Sequence, residues 1–144
     1  MVRPACSKKG HGMLINKETE YAIRLISNLN EEEPKRMIDV AAREGVSVAI
    51  AYKIAGKLER EKIIGSVRGA SGGYVLAKPL EEITLYDVFN AIETHKIIAK
   101  CLHPIEIEDA EEGSITHGIQ KKLTSMQDNL FTEMSTLNLK EMMN

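Results

Sequence analysis

Residues 38–76 read IDVAAREGVSVAIAYKIAGKLEREKIIGSVRGASGGYVL, and this stretch decides the fold. Its first part predicts a helix of about two turns that stops at Gly45, since glycine commonly ends a helix. Ser47 follows, and its hydroxyl can accept a hydrogen bond from an unpaired amide of the next first turn. We therefore predict a longer helix that starts at Val48 and runs to about Glu61.

Apolar spacing predicts which side of each helix is buried. The short helix is expected to bury Ile38, Ala41 and Ala42. The longer helix has an apolar stripe with helical spacing, formed by Ala51, Ile54, Ala55 and Leu58. Its opposite side is left to solvent or a partner and consists of Ala49, Tyr52, Lys53, Gly56 and Arg60.

A β-hairpin is predicted after the longer helix. Residues 63–67 and 74–76 are prone to form strands, and a turn with three glycines separates them. Upstream, residues 16–29 carry apolar side chains at helical spacing and predict a first helix; these are Ala22, Leu25, Ile26 and Leu29. Helix, short helix, tight turn, longer helix and hairpin is the order of a winged helix-turn-helix.

Two further helices are predicted after the hairpin. Thr84 and Asp87 have the spacing of a capping box that opens a fourth helix ending near His95. An acidic loop without period follows at 103–113, and a last helix begins near Ser114. Its single apolar stripe has no predicted cover, so we expect a second copy of the chain to bind there. The predicted dimer interface consists of Ile119, Leu123, Met126, Leu130, Met134 and Leu137.

Charge is distributed unevenly along the 144 residues, whose formal net charge is −2. Residues 1–12 carry +3, residues 13–80 carry +2 and residues 81–144 carry −7. Between Ser47 and Lys78, six basic residues stand against two acidic ones, so a polyanion can bind there. A charged fraction of 28% without a long apolar run argues against both a disordered chain and a membrane span.

These features predict a DNA-binding protein. In a winged helix-turn-helix the third helix enters the major groove, and the hairpin tip approaches the backbone or the minor groove. The predicted DNA-binding residues lie on the outward side of that helix or in the hairpin: Ser47, Ala49, Tyr52, Lys53, Lys57, Arg60, Ser66, Arg68, Gly69, Gly72 and Gly73. The glycines alone would also fit simple turn geometry.

The expected fold class is mainly α with a small β-hairpin. A winged helix-turn-helix DNA-binding domain occupies residues 13–80, and residues 81–144 supply a linker helix, the acidic loop and a long C-terminal dimerisation helix. Residues 1–12 are expected to be a flexible extension or an expression remnant, because they lack the apolar core of a secretory signal.

Four segments together resemble the Rrf2 family of winged-helix regulators: IDVAAREGVS (38–47), LER (58–60), SVRGASGGYVLA (66–77) and EITLYDV (82–88). The resemblance covers nearly everything from Met13 to the end. It implies a homodimeric repressor or activator on a palindromic operator, with the wing arginine, Arg68, in the minor groove. The chain departs from the family at Tyr52, where many members carry an acidic or amide residue, so the operator sequence does not carry over.

The resemblance also raises the question of a cofactor. Many members sense iron–sulfur status or nitric oxide through three cysteines, but here Cys101 matches only the first, and Ser114 replaces another. Glu20, His103 and His117 are the other candidate ligands. A single thiolate among harder donors makes a weak cluster site, so we predict no cofactor and no metal. The chain then resembles the cluster-free branch, which a regulatory protein or a small-molecule effector controls.

Other functions are open to different degrees. The alternative is a protein-interaction module controlled by a partner protein, or an iron–sulfur or metal-dependent redox sensor of the same family. An enzyme is not expected, because no catalytic Ser/His/Asp or Cys/His arrangement occurs and the glycine-rich turn lacks a Gly-Lys-Ser/Thr ending. The two cysteines have no disulfide spacing, which favours the cytoplasm. We expect the signal to be received near the loop 103–113 and the dimer helix.

Overall fold

The computed structural model describes residues 15–93, 113 and 115–144. The helices are α1 (Lys17–Ser27), α2 (Met37–Glu44), α3 (Val48–Arg60), α4 (Leu85–Ile92), α5 (Ile115–Thr136) and α6 (Leu139–Met142). Strands β1 (Ile64–Val67) and β2 (Gly73–Leu76) form an antiparallel hairpin, and a 3-10 turn spans Leu80–Glu82. This mainly helical architecture with one hairpin and a long C-terminal helix confirms the predicted fold class. Several predictions lie outside the described residues: those on 1–12, His95, Cys101, His103 and Ser114, and all of the acidic loop except Gly113.

Side-chain caps fix where the helices begin. Ser47 accepts a hydrogen bond from the Ile50 amide at 3.3 Å, which confirms the predicted start of α3. Thr84 and Asp87 form both bonds of a capping box, at 3.1 and 3.0 Å, and open α4 as predicted. Each cap pairs amides of a first turn that have no partner within the helix.

The core lies between α1, α2, α3, the hairpin and α4. The apolar stripe predicted for α3 is fully buried, which confirms that prediction. The prediction for α2 is wrong by one residue, because Met37, Val40 and Ala41 are buried while Ile38 and Ala42 are exposed. Both sets have the same helical spacing, so spacing could not choose between them; Met37 and Val40 remove more apolar area from water.

The C-terminal part of the chain returns to the core. The second half of α5 packs on α4, where the ring centroids of Phe89 and Phe131 are 5.7 Å apart. Beyond α5, the Leu85 amide donates to the Leu137 carbonyl at 2.9 Å, and the Leu139 amide donates to the Ile83 carbonyl at 2.8 Å. Leu139 is buried in the main core, so the short helix α6, which the sequence did not predict, anchors the end of the chain.

Candidate nucleic-acid interface

One side of α3 points away from the core and forms what we call the reading face: Ala49, Tyr52, Lys53, Gly56 and Arg60. All five residues are exposed. Because a helix turns by about 100° per residue, Ala49, Lys53, Gly56 and Arg60 lie in one line, and Tyr52 flanks it. No atom lies within 4 Å of a Cβ built at Gly56, so the backbone is open to close approach there.

The wing, residues 64–76, lies beside the reading face. The Tyr74 amide donates to the Lys35 carbonyl at 2.8 Å and the Lys35 amide donates back to the Tyr74 carbonyl at 3.0 Å, so the hairpin is tied to the segment before α2. The rings of Tyr52 and Tyr74 are 6.4 Å apart, which joins the reading face to the wing. Arg68, at the tip, is exposed.

Two of the wing glycines have a reason within the chain itself. A Cβ on Gly72 would lie 2.2 Å from the Val67 carbonyl oxygen, and one on Gly73 would lie 2.5 Å from the Lys35 carbonyl oxygen. Since such contacts are sterically forbidden, both positions need glycine for the turn to close. Turn geometry thus accounts for these two predicted DNA-binding residues without a duplex.

A carboxylate of α1 meets the basic residues of α3. Glu18 pairs with the Lys53 ammonium at 2.7 Å and with the Lys57 ammonium at 3.0 Å. The hydrogen bond from Lys53, helped by Lys57 and opposed by burial, lowers the pKa of Glu18 below its ordinary value. Lys57 also donates to the Ile92 carbonyl at 3.3 Å. The described geometry thus directs the Lys57 ammonium group to acceptors inside the chain, and its predicted phosphate contact stays a prediction.

Two guanidinium groups, one on α3 and one on the wing, form no ion pair within the described residues. Within residues 15–93 and the described C-terminal part, Arg60 and Arg68 form no ion pair, and both are exposed. Of the other predicted residues, Ser66 donates to Glu59 at 2.7 Å, and Ser47 is used as the cap of α3. Arg60 and Arg68 are thus the two predicted guanidinium groups that a polyanion can reach without breaking a contact.

Glu93 accepts hydrogen bonds from residues at the start of α1, a role that the sequence analysis did not predict. Its carboxylate accepts from the Thr19 hydroxyl at 2.6 Å, from the Asn16 amide at 3.1 Å and from the Asn16 side chain at 2.9 Å. Thr19 is fully buried and Glu93 nearly so. The signal available was a charged residue at the end of an apolar helix, but its partners are more than 70 positions away in the sequence.

The six predicted dimer residues differ in exposure: two are exposed, Leu123 is half-buried, and the last three, of which Leu137 lies just beyond α5, pack toward α4. Ile119 and Met126 are exposed, together with Ile115, and we call these three the exposed stretch of α5. Met134, in contrast, is buried against Leu85 and Phe89 of α4, and Leu130, Phe131 and Leu137 pack around it. Within the protomer, α4 already covers the second half of the predicted stripe, while dimerisation through its first half stays a prediction.

Only two of the candidate metal ligands, Glu20 and His117, lie among the described residues. Glu20 is exposed and lies 3.8 Å from the Arg24 guanidinium, one turn along α1. His117 is half-buried on α5, and Cys101 and His103 lie outside the described residues. Among the residues that are described, no group of three or more His, Cys, Asp or Glu side chains could hold a metal ion.

None of the helices in the described ranges has both the length and the hydropathy that a membrane span requires.

Comparison with known proteins identifies the family. Residues 15–144 match the model of the Rrf2 family, described as an iron-dependent transcriptional regulator. The chain is 36% identical to Protein aau3 of Rhizobium meliloti over 98 residues, which span 67% of this chain and 64% of that protein. It is 24% identical to the HTH-type transcriptional regulator IscR of Photorhabdus laumondii, over 92% of this chain and 80% of that one.

A solved structure supports the same fold. CymR, the global cysteine regulator of B. subtilis, superimposes with a TM-score of 0.67 at 20% identity, over 89% of this chain and 94% of that chain. The family and IscR are described as transcriptional regulators and not as enzymes, which confirms that no enzyme should be expected. The match to the family model covers nearly all of the chain, and the fold agrees with it. The chain therefore belongs to the Rrf2 family of transcriptional regulators.

Proposed function

We propose that this chain is a cytoplasmic, sequence-specific DNA-binding repressor that acts as a homodimer on a palindromic operator. Each protomer inserts the reading face of α3 into the major groove and places Arg68 of the wing in the adjacent minor groove. The observation that carries the proposal is that Arg60 of α3 and Arg68 at the wing tip are exposed and form no ion pair within the described residues. They accompany a helix surface with no bulky side chain at Ala49 or Gly56.

The chemistry of the reading face suits base and phosphate contacts. Arg60 and Lys53 can bind phosphates or guanine edges, and the Tyr52 hydroxyl can donate to either. The small Ala49 and Gly56 allow the helix axis to approach the floor of the groove. Arg68 extends from a narrow hairpin tip, which favours entry into an A·T-rich minor groove.

The homodimer is supported by the exposed stretch of α5. Ile115 is 85% exposed, and Ile119 and Met126 are more than half exposed, on a helix whose other half is well packed. Contiguous apolar residues on one helix side are unfavourable in water, so a second α5 crossing there removes them from solvent. Two winged helix-turn-helix domains held in this way would bind half-sites about one helical turn apart.

We further propose that the protein works without an iron–sulfur cluster, although its family is described as iron-dependent. The whole chain has two cysteines, whereas a cluster is held mainly by several thiolates. Of the harder donors, Glu20 is solvent-exposed and next to Arg24. The donor set therefore does not fit the cluster, and control by a regulatory protein or a small-molecule effector, received near α5 and the loop 103–113, is part of the same proposal.

The cofactor proposal is tested by anaerobic reconstitution with iron and sulfide, followed by visible absorption. We expect no stable cluster band. A band that persists after desalting and is lost in Cys101→Ala would contradict the proposal.

DNA binding is tested by fluorescence anisotropy with a duplex from the region upstream of the gene and a scrambled duplex of equal length. Sub-micromolar binding to the first, weakened by Arg68→Ala and falling steeply with added salt, is the expected result. Equal affinity for both duplexes, or binding that is independent of salt, would contradict the proposal and favour a protein-interaction module.

A further inference from the structure

We propose that Glu18 is an internal competitor for the operator phosphates, which holds Lys53 of the reading face and so limits the affinity for DNA. This inference rests on the proposed DNA-binding function and adds to it an affinity-setting residue that lies outside the reading face. Glu18 is on α1, and no part of the predicted interface includes it.

The contact is made between two helices that are otherwise joined by apolar packing. The two oxygens of the Glu18 carboxylate are divided between two ammonium groups, Oε1 with Lys53 at 2.7 Å and Oε2 with Lys57 at 3.0 Å. A phosphate diester offers a lysine the same features, namely an anionic oxygen at hydrogen-bond distance. The carboxylate therefore occupies the position on Lys53 that a phosphate would occupy.

Lys53 and Lys57 differ in how readily each can leave its contact with Glu18. The Lys57 side chain is only 24% exposed and donates to the Ile92 carbonyl as well, so it remains in place when Lys53 leaves. Lys53 has a side chain that is 58% exposed, and Glu18 is the only acceptor of its ammonium group within the described residues. A duplex that docks on α3 thus has to compete with Glu18 for Lys53, and Lys53 adds a full phosphate contact only when that carboxylate is gone.

The competition between Glu18 and the phosphates should affect both the affinity for DNA and the dependence of that affinity on salt. The Lys53 side chain is 58% exposed and that of Glu18 is 30% exposed, so water screens the pair. An ion pair that water screens shifts an equilibrium by up to about fivefold, so its loss should tighten DNA binding by about two- to fivefold. Without Glu18, Lys53 is freely available, and one more phosphate contact steepens the slope of log K against log salt by about 0.9. The effect is expected for the operator and for a scrambled duplex alike, because phosphates carry no sequence information.

Glu18→Gln tests the inference, and Glu20→Gln is its matched control. Both remove one carboxylate charge from α1, but Glu20 is 64% exposed and its pairing is with Arg24 of the same helix. We expect Glu18→Gln to bind operator and scrambled duplexes two- to fivefold more tightly, with the steeper salt slope, between about 50 and 200 mM salt. Glu20→Gln should change affinity by much less, because its charge is not in contact with α3.

Two further measurements distinguish a failure of the Glu18 inference from unfolding of a variant. In a Lys53→Gln background, Glu18→Gln should no longer tighten binding, and thermal unfolding monitors whether either variant remains folded. Unchanged or weaker binding by folded Glu18→Gln would overturn the inference while leaving the proposed function intact. If the wild-type protein bound no duplex, the proposed function itself would fail, and the inference with it.

Discussion

Helices α3 and α5 both have an apolar side and a polar side, but only α3 has its apolar side fully covered by its own chain. All four predicted core residues of α3 are buried, and the opposite side carries the reading face. On α5 the second half packs on α4, while Ile115, Ile119 and Met126 of the first half are exposed. The winged helix-turn-helix domain therefore buries its core within one protomer, whereas the first half of α5 leaves apolar residues exposed for the second copy that we propose.

A substitution in the buried side of α3 is expected to have the largest effect. Ile54 is fully buried, so Ile54→Ala should lower the free energy of unfolding by about 2–5 kcal/mol through lost burial and a residual cavity. Urea denaturation followed by circular dichroism measures it. A loss below about 0.5 kcal/mol would show that α3 is not anchored as described.

Charges introduced into the exposed stretch of α5 should disrupt dimerisation and leave the fold of the winged helix-turn-helix domain unchanged. The double change Ile119→Glu and Met126→Glu is expected to give a monomer in sedimentation velocity, with operator affinity reduced by about a hundredfold because bivalent binding is lost. Met126→Leu, which keeps the apolar surface, is the control. A double variant that stays dimeric at unchanged affinity would place the dimer interface elsewhere.

Arg68→Ala should have an intermediate effect that is confined to DNA. Because Arg68 is exposed and forms no ion pair within the described residues, its loss should leave the unfolding transition unchanged. Operator affinity should fall by about 1–3 kcal/mol, with relaxed preference at the base pairs next to the wing. Lys62→Ala, which removes an exposed lysine near the end of α3, serves as the control for charge alone.

The smallest expected effect is the change in stability caused by Gly56→Ala. A Cβ there meets no atom within 4 Å, and glycine in the interior of a helix costs about 1 kcal/mol relative to alanine. Gly56→Ala should therefore raise the free energy of unfolding by up to that amount, whereas Gly56→Leu should fold but block the approach of DNA. Unimpaired operator binding by Gly56→Leu would argue that this side of α3 does not face the duplex.

Sequence patterns predicted local features well and partners poorly. The caps at Ser47 and Thr84 and the buried stripe of α3 follow from short-range chemistry and were predicted. The buried side of α2 was wrong by one residue because two sets of positions share one spacing. Neither the pairing of Glu18 with Lys53 nor the buried Glu93 under α1 could be predicted, since each depends on a contact between distant segments.

The sequence also could not predict which half of α5 is covered by α4, because that too depends on a contact between distant segments. Periodicity places Leu130 and Met134 on one stripe with Ile119 and Met126, and it cannot tell which part the same chain covers. That information comes from the return of the chain at Leu139, whose burial in the main core holds the end of α5 against α4.

Hydroxyl-radical footprinting of the upstream region tests the central claim most directly, because it reports DNA reading and dimer geometry together. We expect two protected segments at sub-micromolar protein, on one side of the duplex, with centres about 10 base pairs apart. Protection of a single segment, or no protection in the micromolar range, would contradict a dimer that reads two half-sites with α3 and the wing.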